Sequence, residues 1–227
     1  MNTNINDKNL LKIVQLKLSA EKKENIDEIE EISIINKDFS QQILDIDLTE
    51  IPKIKNLRKL SIKFFEITDN IIECLNQLEH LECIEILMCN FTNTKLITKQ
   101  LKKLIIYNCS NFKIKMLENN ITETISIEHS GIIDIFELTK FNLIKKLKIS
   151  DCMITSLPKV SMFSNLERLY LNSINLDFEF DISQMKKLNF ICLNGSKTQD
   201  KEKYIKNLKI QNSNIEIEFE DIDLPIK

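Results

Sequence analysis

Three copies of one short pattern decide the fold: Ile144-Lys-Lys-Leu-Lys-Ile149, Leu166-Glu-Arg-Leu-Tyr-Leu171 and Leu188-Asn-Phe-Ile-Cys-Leu193. Each copy begins 22 residues after the previous one and carries Leu or Ile at its first, fourth and sixth positions. The fourth and sixth positions are two residues apart, so they lie on the same side of an extended strand. Because one strand cannot bury its apolar side alone, the period predicts strands stacked into a parallel sheet over a shared core.

The pattern continues in both directions along the chain. Further copies begin at Ile29, Leu57, Leu81, Leu101, Thr122 and Ile205. Their spacing varies from 17 to 28 residues, which predicts irregular connections on the side away from the sheet. Ile13-x-x-Leu16-x-Leu18 fits one more strand near the N-terminus. The register of residues 36–56 stays open, and an extra short strand at Ile43–Leu48 is one alternative.

These copies resemble the leucine-rich-repeat family, at least over residues 57–215. The resemblance implies an α/β solenoid that is curved, with a parallel β-sheet on its concave face and an irregular convex side. It also implies that a protein partner binds mostly on the concave sheet. We expect one domain, made of an N-terminal cap (1–28), the repeats (29–215) and a C-terminal cap with an acidic tail (216–227).

The ninth position of each copy departs from the Asn that is frequent in this family. The residues found there are Phe65, Cys89, Cys109, Ser130, Cys152, Ile174, Ser196 and Ser213. Cys and Ser can donate to the same turn carbonyls as Asn, although Cys donates more weakly. Phe65 and Ile174 have no donor in their side chains, so looser turns are predicted at those two places.

Composition excludes several classes of protein. The chain has 227 residues, 43% of them hydrophobic and 29% charged, which suits one sizeable soluble domain. A net charge of −3 argues against general affinity for nucleic acid. No apolar run approaches the roughly 20 residues of a membrane span, and the first residues contain no apolar signal-peptide segment. We therefore expect a cytoplasmic or nuclear protein whose six cysteines are reduced.

Catalytic and metal-binding signals are weak. Cys74, His80, Cys83 and Cys89 are close in sequence, but the repeat register points Cys83 to the concave face and Cys89 into the core, so they cannot share one tetrahedral metal. The chain has no glycine-rich phosphate loop and none of the common hydrolase motifs. Cys192 remains as a candidate nucleophile, because its fifth position faces the concave side. We predict a protein that is not an enzyme and holds no metal or cofactor.

The third, fifth and seventh positions of each copy should be exposed on the concave sheet, with neighbouring strands about 4.8 Å apart. In the last copy these positions are Asn207, Lys209 and Gln211. Two apolar clusters and a basic group between them give the predicted partner-binding set: Leu87, Ile105, Tyr107, Lys146, Lys148, Arg168, Tyr170 and Phe190. Exposed apolar clusters with aromatic and Arg residues are typical of protein interfaces.

The pattern therefore predicts a non-enzymatic, monomeric interaction module or scaffold that holds a protein partner inside the cell. The alternative is a subunit of a larger ribonucleoprotein-type assembly, which contacts RNA through the basic group. Salt separates the two, because phosphate contacts weaken steeply with ionic strength and an apolar interface does not.

Overall fold

The computed structural model describes residues 5–37, 42–92, 97, 101–117, 121–156, 163–176 and 181–220. The chain forms two compact units, Met1–Asn119 (unit 1) and Asn120–Lys227 (unit 2). Within the described residues, no helix combines the length and the apolar character that are needed to cross a bilayer.

Unit 1 begins with a helix and continues as alternating strands and connections. Its elements are α1 (Lys8–Glu21), β1 (Glu31–Ile35), β2 (Lys59–Lys63), β3 (Glu66–Ile67), α2 (Asp69–Gln77), β4 (Cys83–Leu87), β5 (Asn90–Phe91) and β6 (Lys103–Tyr107). The long strands pair in parallel in the order β1, β2, β4, β6, and the short strands β3 and β5 pair with each other. Short 3-10 helices lie at Ile26–Glu28, Leu48–Lys53 and Ile114–Met116.

Unit 2 has the same plan with a helix near its C-terminal end. Its elements are β7 (Thr124–Glu128), β8 (Ile132–Asp134), β9 (Lys146–Ser150), β10 (Met153–Ser156), β11 (Arg168–Asn172), β12 (Phe190–Cys192), α3 (Lys201–Gln211) and β13 (Glu216–Glu218). The strands β7, β9, β11, β12 and β13 pair in parallel in that order, and β8 pairs with β10. A 3-10 helix at Ile135–Lys140 returns the chain between β8 and β9.

The register of the strands confirms the alignment of the copies. In unit 1, Ile84 is the Cα partner of both Leu60 and Leu104, which occupy the fourth positions of the flanking copies. In unit 2, Leu169 pairs with Leu147 in the same way. All five side chains are buried. The fourth and sixth positions therefore form the core of each unit, and apolar burial is the main force that stabilises it.

A left-handed turn follows the strand in each of the seven copies that begin between Leu57 and Leu188. It falls at the eighth position, with φ between 49° and 71°, in Phe64, Met88, Asn108, His129, Asp151, Ser173 and Gly195. This conformation is sterically costly for every residue type except glycine. Hydrogen bonds between copies hold the turn: the Met88 amide donates to the Tyr107 carbonyl (2.8 Å), and the Asp151 amide donates to the Asn172 carbonyl (3.0 Å).

Several ninth-position side chains link their copy to the one before it. The Cys89 sulfur accepts a hydrogen bond from the Phe65 amide (3.4 Å), and Ser196 Oγ accepts one from the Ile174 amide (3.0 Å). Ser196 also donates to the Leu171 carbonyl (2.6 Å). The amides of the two apolar ninth positions are thus bound by the following copy. The looser turns expected there stay a prediction.

The strand predicted at Ile13–Leu18 is wrong, because these residues lie in α1. Asp7 caps this helix, its Oδ1 accepting the amide of Leu10 (2.6 Å). The buried residues Leu10, Val14 and Leu18 are four apart, which places them on one face of a helix. The L-x-x-L-x-L pattern is compatible with that spacing, so it could not distinguish helix from strand here.

The last copy predicted at Ile205–Ile215 is also wrong. These residues include most of α3, which Asp200 caps by accepting the Lys203 amide (2.9 Å). Leu208 is buried in this helix, whereas Ile210 is 73% exposed. This segment is rich in strong helix formers, and its apolar residues do not form one continuous side of a strand. The helix is therefore favoured. The strand that closes unit 2 is β13, which follows α3.

The open segment 36–56 contains no strand within its described residues. Lys37 and Ile43 form one isolated antiparallel bridge. The 3-10 helix Leu48–Lys53 follows, and Asp47 caps it by accepting the Thr49 amide (2.9 Å). The alternative of an extra strand at Ile43–Leu48 is therefore wrong.

Candidate functional site

The eight residues of the predicted set share one face of the strands. They occupy third, fifth and seventh positions, on the side opposite to the buried fourth and sixth positions; we call this side the outer sheet face. Three of them lie in unit 1 and five in unit 2, and all eight are half-buried or exposed. Alternation along a strand explains the placement, because successive side chains point to opposite sides.

In unit 1 the outer sheet face carries an apolar cluster. Leu87 and Tyr107 are Cα partners on β4 and β6, and Ile105 is on β6 two residues before Tyr107. All three are half-buried. Next to them Glu85, the Cα partner of Ile105, forms an ion pair with Lys59 (3.2 Å). Lys59 and Glu85 thus compensate each other beside this cluster.

Phe64 lies in the left-handed turn at the end of β2. The ammonium groups of Lys37 and Lys63 lie over its ring, at 4.3 Å and 4.9 Å from the ring centroid. Cation–π contacts of this kind stabilise a half-buried ring and leave the ammonium groups accessible to water. The rim of the unit 1 cluster is therefore basic.

In unit 2 the outer sheet face carries a pair of aromatic rings with cations on them. The rings of Tyr170 and Phe190 have centroids 5.3 Å apart and are inclined at 45°. The Lys146 ammonium is 4.9 Å from the centroid of Tyr170, and the Arg168 guanidinium carbon is 5.8 Å from the centroid of Phe190. These four side chains form one layer, which we call the cation–aromatic cluster.

Lys148, the third basic residue of the predicted group, is in a different situation. Its ammonium forms an ion pair with Glu128 (2.7 Å), and the other carboxylate oxygen of Glu128 accepts a hydrogen bond from Ser126 (2.9 Å). Lys148 is half-buried, whereas Lys146 and Arg168 are exposed. Neither Lys146 nor Arg168 forms an ion pair with a carboxylate of the described residues. The basic group thus presents two uncompensated cations.

A polar pair that we did not select from the sequence lies at the seventh positions of β9 and β11. Ser150 and Asn172 are Cα partners. Ser150 is only 4% exposed, and both Ser150 Oγ and Asn172 Oδ1 are buried without a hydrogen-bond partner among the described residues. A buried polar atom without a partner is costly and is often explained by a ligand or water. Their shared seventh position was the available signal, but burial is visible only in the structure.

The acidic strand β13 takes the place that we assigned to the last copy. Asn207, Lys209 and Gln211, expected on the outer sheet face, lie in α3 instead. The Cα partners of Phe190 and Cys192 are Glu216 and Glu218. The face beside the aromatic pair is therefore acidic on this side, whereas the sequence predicted a basic residue there.

The cysteines do not form a reactive or metal-binding group. Cys192 has the expected fifth position but is only 4% exposed, and burial raises the pKa of its thiol. Its short side chain lies beside Tyr170 and Phe190, which reach further from the sheet. Burial also raises the pKa of Cys89 to about 12. The described residues contain no group of three His, Cys, Asp or Glu side chains arranged for a metal ion.

Comparisons with known proteins agree on the fold. No family model matches the chain, and no curated protein matches it in sequence. Among solved structures, it is similar to an internalin (inlF) from Listeria monocytogenes, with a TM-score of 0.58, 19% identity and 80% of this chain covered. It is also similar to a leucine-rich-repeat protein from Leptospira interrogans, with a TM-score of 0.59, 18% identity and 75% of this chain covered.

The match to both of those structures is partial, since it covers 52% and 51% of their lengths, so this chain spans about half of each. An internalin C2 from Listeria monocytogenes matches over 94% of this chain and 93% of its own, with a TM-score of 0.53 and 14% identity. Identities this low show the fold and nothing more. They confirm the α/β leucine-rich-repeat fold that the sequence predicted.

Proposed function

We propose that this protein is a non-enzymatic binding module that holds a protein partner on its outer sheet face. The observation that carries the proposal is the cation–aromatic cluster: two neighbouring rings, inclined to each other, and two cations are held on the strands β9, β11 and β12. Aromatic and Arg side chains are the residues that most often dominate the energy of protein interfaces. The resemblance of the sequence to the leucine-rich-repeat family also implies a protein partner that binds mostly on the sheet.

Protein is a better fit than RNA for this face. Glu128 compensates one of the three cations of the basic group, and Glu216 and Glu218 lie on the strand next to the aromatic pair. Carboxylates at both sides would repel a phosphate backbone. These carboxylates weaken the binding of a protein partner less, because the segments of a protein need not be uniformly charged.

We further propose that the protein acts as a single chain inside the cell. Support for the compartment comes from its cysteines: all six are unpaired thiols, whereas disulfides form and persist in oxidising compartments. Support for the absence of catalysis comes from Cys192, since a buried thiol with a raised pKa is a poor nucleophile.

Site-specific photo-crosslinking in lysates of its own cells tests the proposal. A photoreactive phenylalanine analogue would replace Phe190 in one variant and Phe136 in the other. Phe136 is a matched control, because it is an exposed phenylalanine (53%) of the same unit but lies outside the outer sheet face. We irradiate at low and at high salt, and expect position 190 to give a protein adduct in both conditions and position 136 to give none.

Two outcomes would contradict the proposal. Adducts from position 136 alone would show that the partner binds elsewhere on unit 2. Adducts from position 190 that contain RNA, and that disappear at high salt, would favour the ribonucleoprotein alternative.

A further inference from the structure

We propose that the outer sheet face of unit 2 binds an extended acidic segment of its partner, lying along β11. A carboxylate of the segment meets Lys146 and Arg168, and an apolar side chain rests on Tyr170 and Phe190. This inference rests on the proposed function and names the chemistry of the partner.

The charge of the cluster selects the acidic partner. Lys146 and Arg168 are Cα partners on adjacent strands, and both are exposed. Nearby cations are compensated: Lys145 forms an ion pair with Glu123 (3.0 Å), and Lys148 forms one with Glu128 (2.7 Å). Lys146 and Arg168 instead stack on rings, which leaves their positive charge available to an incoming carboxylate.

The aromatic pair keeps those cations in place. Each ring lies below one cation, so the long side chains of Lys146 and Arg168 are partly ordered before a partner arrives. Because these side chains are already partly ordered in the free protein, they lose less conformational entropy when the partner binds. The same rings offer a half-buried apolar surface to a side chain next to the carboxylate in the segment.

The acidic strand β13 fixes the side on which the segment lies. Glu216 and Glu218 are the Cα partners of Phe190 and Cys192, so they border the cluster opposite to Lys146. An acidic segment over β12 and β13 would meet these carboxylates. It is therefore directed to β9 and β11, where the two cations lie.

Selection from a display library of random peptides of about eight residues, against the full chain at low salt, tests the inference. We expect the selected peptides to be enriched in Asp and Glu. A synthetic copy of the strongest binder should lose about 10-fold in affinity when Lys146→Gln and Arg168→Gln are combined, because two surface charge contacts are removed.

A matched double variant separates local charge from net charge. Lys145→Gln with Lys187→Gln also removes two cations from unit 2, and these are already bound, to Glu123 (3.0 Å) and to Asn165 Oδ1 (2.7 Å). Both double variants therefore have a net charge of −5, the native −3 less two positive charges. We expect the control to bind the peptide within about twofold of the native chain.

The outcomes distinguish this inference from the proposed function. Selected peptides without acidic enrichment, whose affinity falls on Tyr170→Ala but not on Lys146→Gln with Arg168→Gln, would overturn the inference and leave the proposed function in place. Peptides that are insensitive to both changes, or a library that yields no binder, would overturn both. A polyuridylate oligonucleotide that displaces the peptide and depends on Lys146 and Arg168 would replace the protein partner with RNA.

Discussion

The outer sheet faces of the two units have the same backbone and different chemistry. In unit 1, Leu87, Ile105 and Tyr107 form an apolar cluster beside the ion pair of Lys59 and Glu85. In unit 2, two rings carry two cations that no described carboxylate neutralises. The register and the eighth-position turn are common to both. The difference therefore lies entirely in side chains that do not contribute to the core.

This separation explains how one scaffold can carry two surfaces. Fourth and sixth positions must be apolar, because their burial holds the repeats together. Third, fifth and seventh positions face away from that core, so their identity changes the surface at little cost in stability. Unit 1 holds two cations over the turn residue Phe64, whereas unit 2 holds two cations over aromatic rings of its strands.

The largest effect should come from the part that the units share. Leu169→Ala in unit 2 and Leu104→Ala in unit 1 each truncate a fully buried fourth position, and each should lower the free energy of unfolding by about 2–5 kcal/mol. Urea denaturation followed by circular dichroism measures both. A change in the free energy of unfolding close to zero at either position would contradict the strand register assigned to that unit.

Substitutions on the two outer sheet faces should weaken partner binding to different extents. Tyr170→Ala combined with Phe190→Ala should weaken binding of the crosslinked partner by about 100-fold, because both anchors of the cation–aromatic cluster are lost. Tyr107→Ala should cost about 10-fold or less, since it removes a single ring whereas the double variant removes two. Quantitative pull-down with purified variants measures the ratio. If variants of both faces bind normally while remaining folded, the assigned face is wrong.

The start of unit 1 depends on one buried carboxylate. The Glu50 side chain is 12% exposed. Burial alone would raise the pKa of Glu50, but hydrogen bonds from Lys53 and from the amides of Asp7 and Asn6 outweigh it and lower the pKa to about 2. Glu50→Gln should lower the free energy of unfolding at neutral pH by about 2 kcal/mol.

The pH dependence gives the control for this prediction. A folded-state pKa below the ordinary 4.5 means that ionised Glu50 stabilises the fold above that pH, and that this contribution is lost as the pH falls from 4.5 towards 2. The native chain should lose that part of its stability in this window, and Glu50→Gln should not. Identical acid profiles for the two proteins would contradict the role of Glu50.

The smallest effect should come from releasing the compensated cation of unit 2. Glu128→Gln removes the partner of Lys148, and this half-buried pair contributes at most about 1 kcal/mol to stability. The freed ammonium should strengthen binding of an acidic peptide by about twofold. Fluorescence anisotropy resolves a change of this size. Glu85→Gln, which frees Lys59 in unit 1, is the matched control and should leave the affinity unchanged.

The sequence predicted the middle of the chain better than its ends. The strands β1, β2, β4, β6, β7, β9, β11 and β12 fall where the copies placed them, because several aligned copies of one pattern are rarely a coincidence. At Ile13–Leu18 and Ile205–Ile215 the same pattern lies in helices. Three apolar residues at this spacing also fit one side of a helix, and single copies at the ends of an array had no aligned neighbours to decide between the two.

The sequence by itself determined which residues are in the core and which are on the outer sheet face, because strand alternation follows from covalent geometry. Only the tertiary structure decided which cations are compensated, since that depends on side chains about 20 residues apart, such as Lys148 and Glu128. It also buried the Ser150 and Asn172 oxygens and the Cys192 thiol, and it put Glu216 and Glu218 beside the aromatic pair. Burial and pairing are properties of neighbouring strands, and no single copy of the repeat contains them.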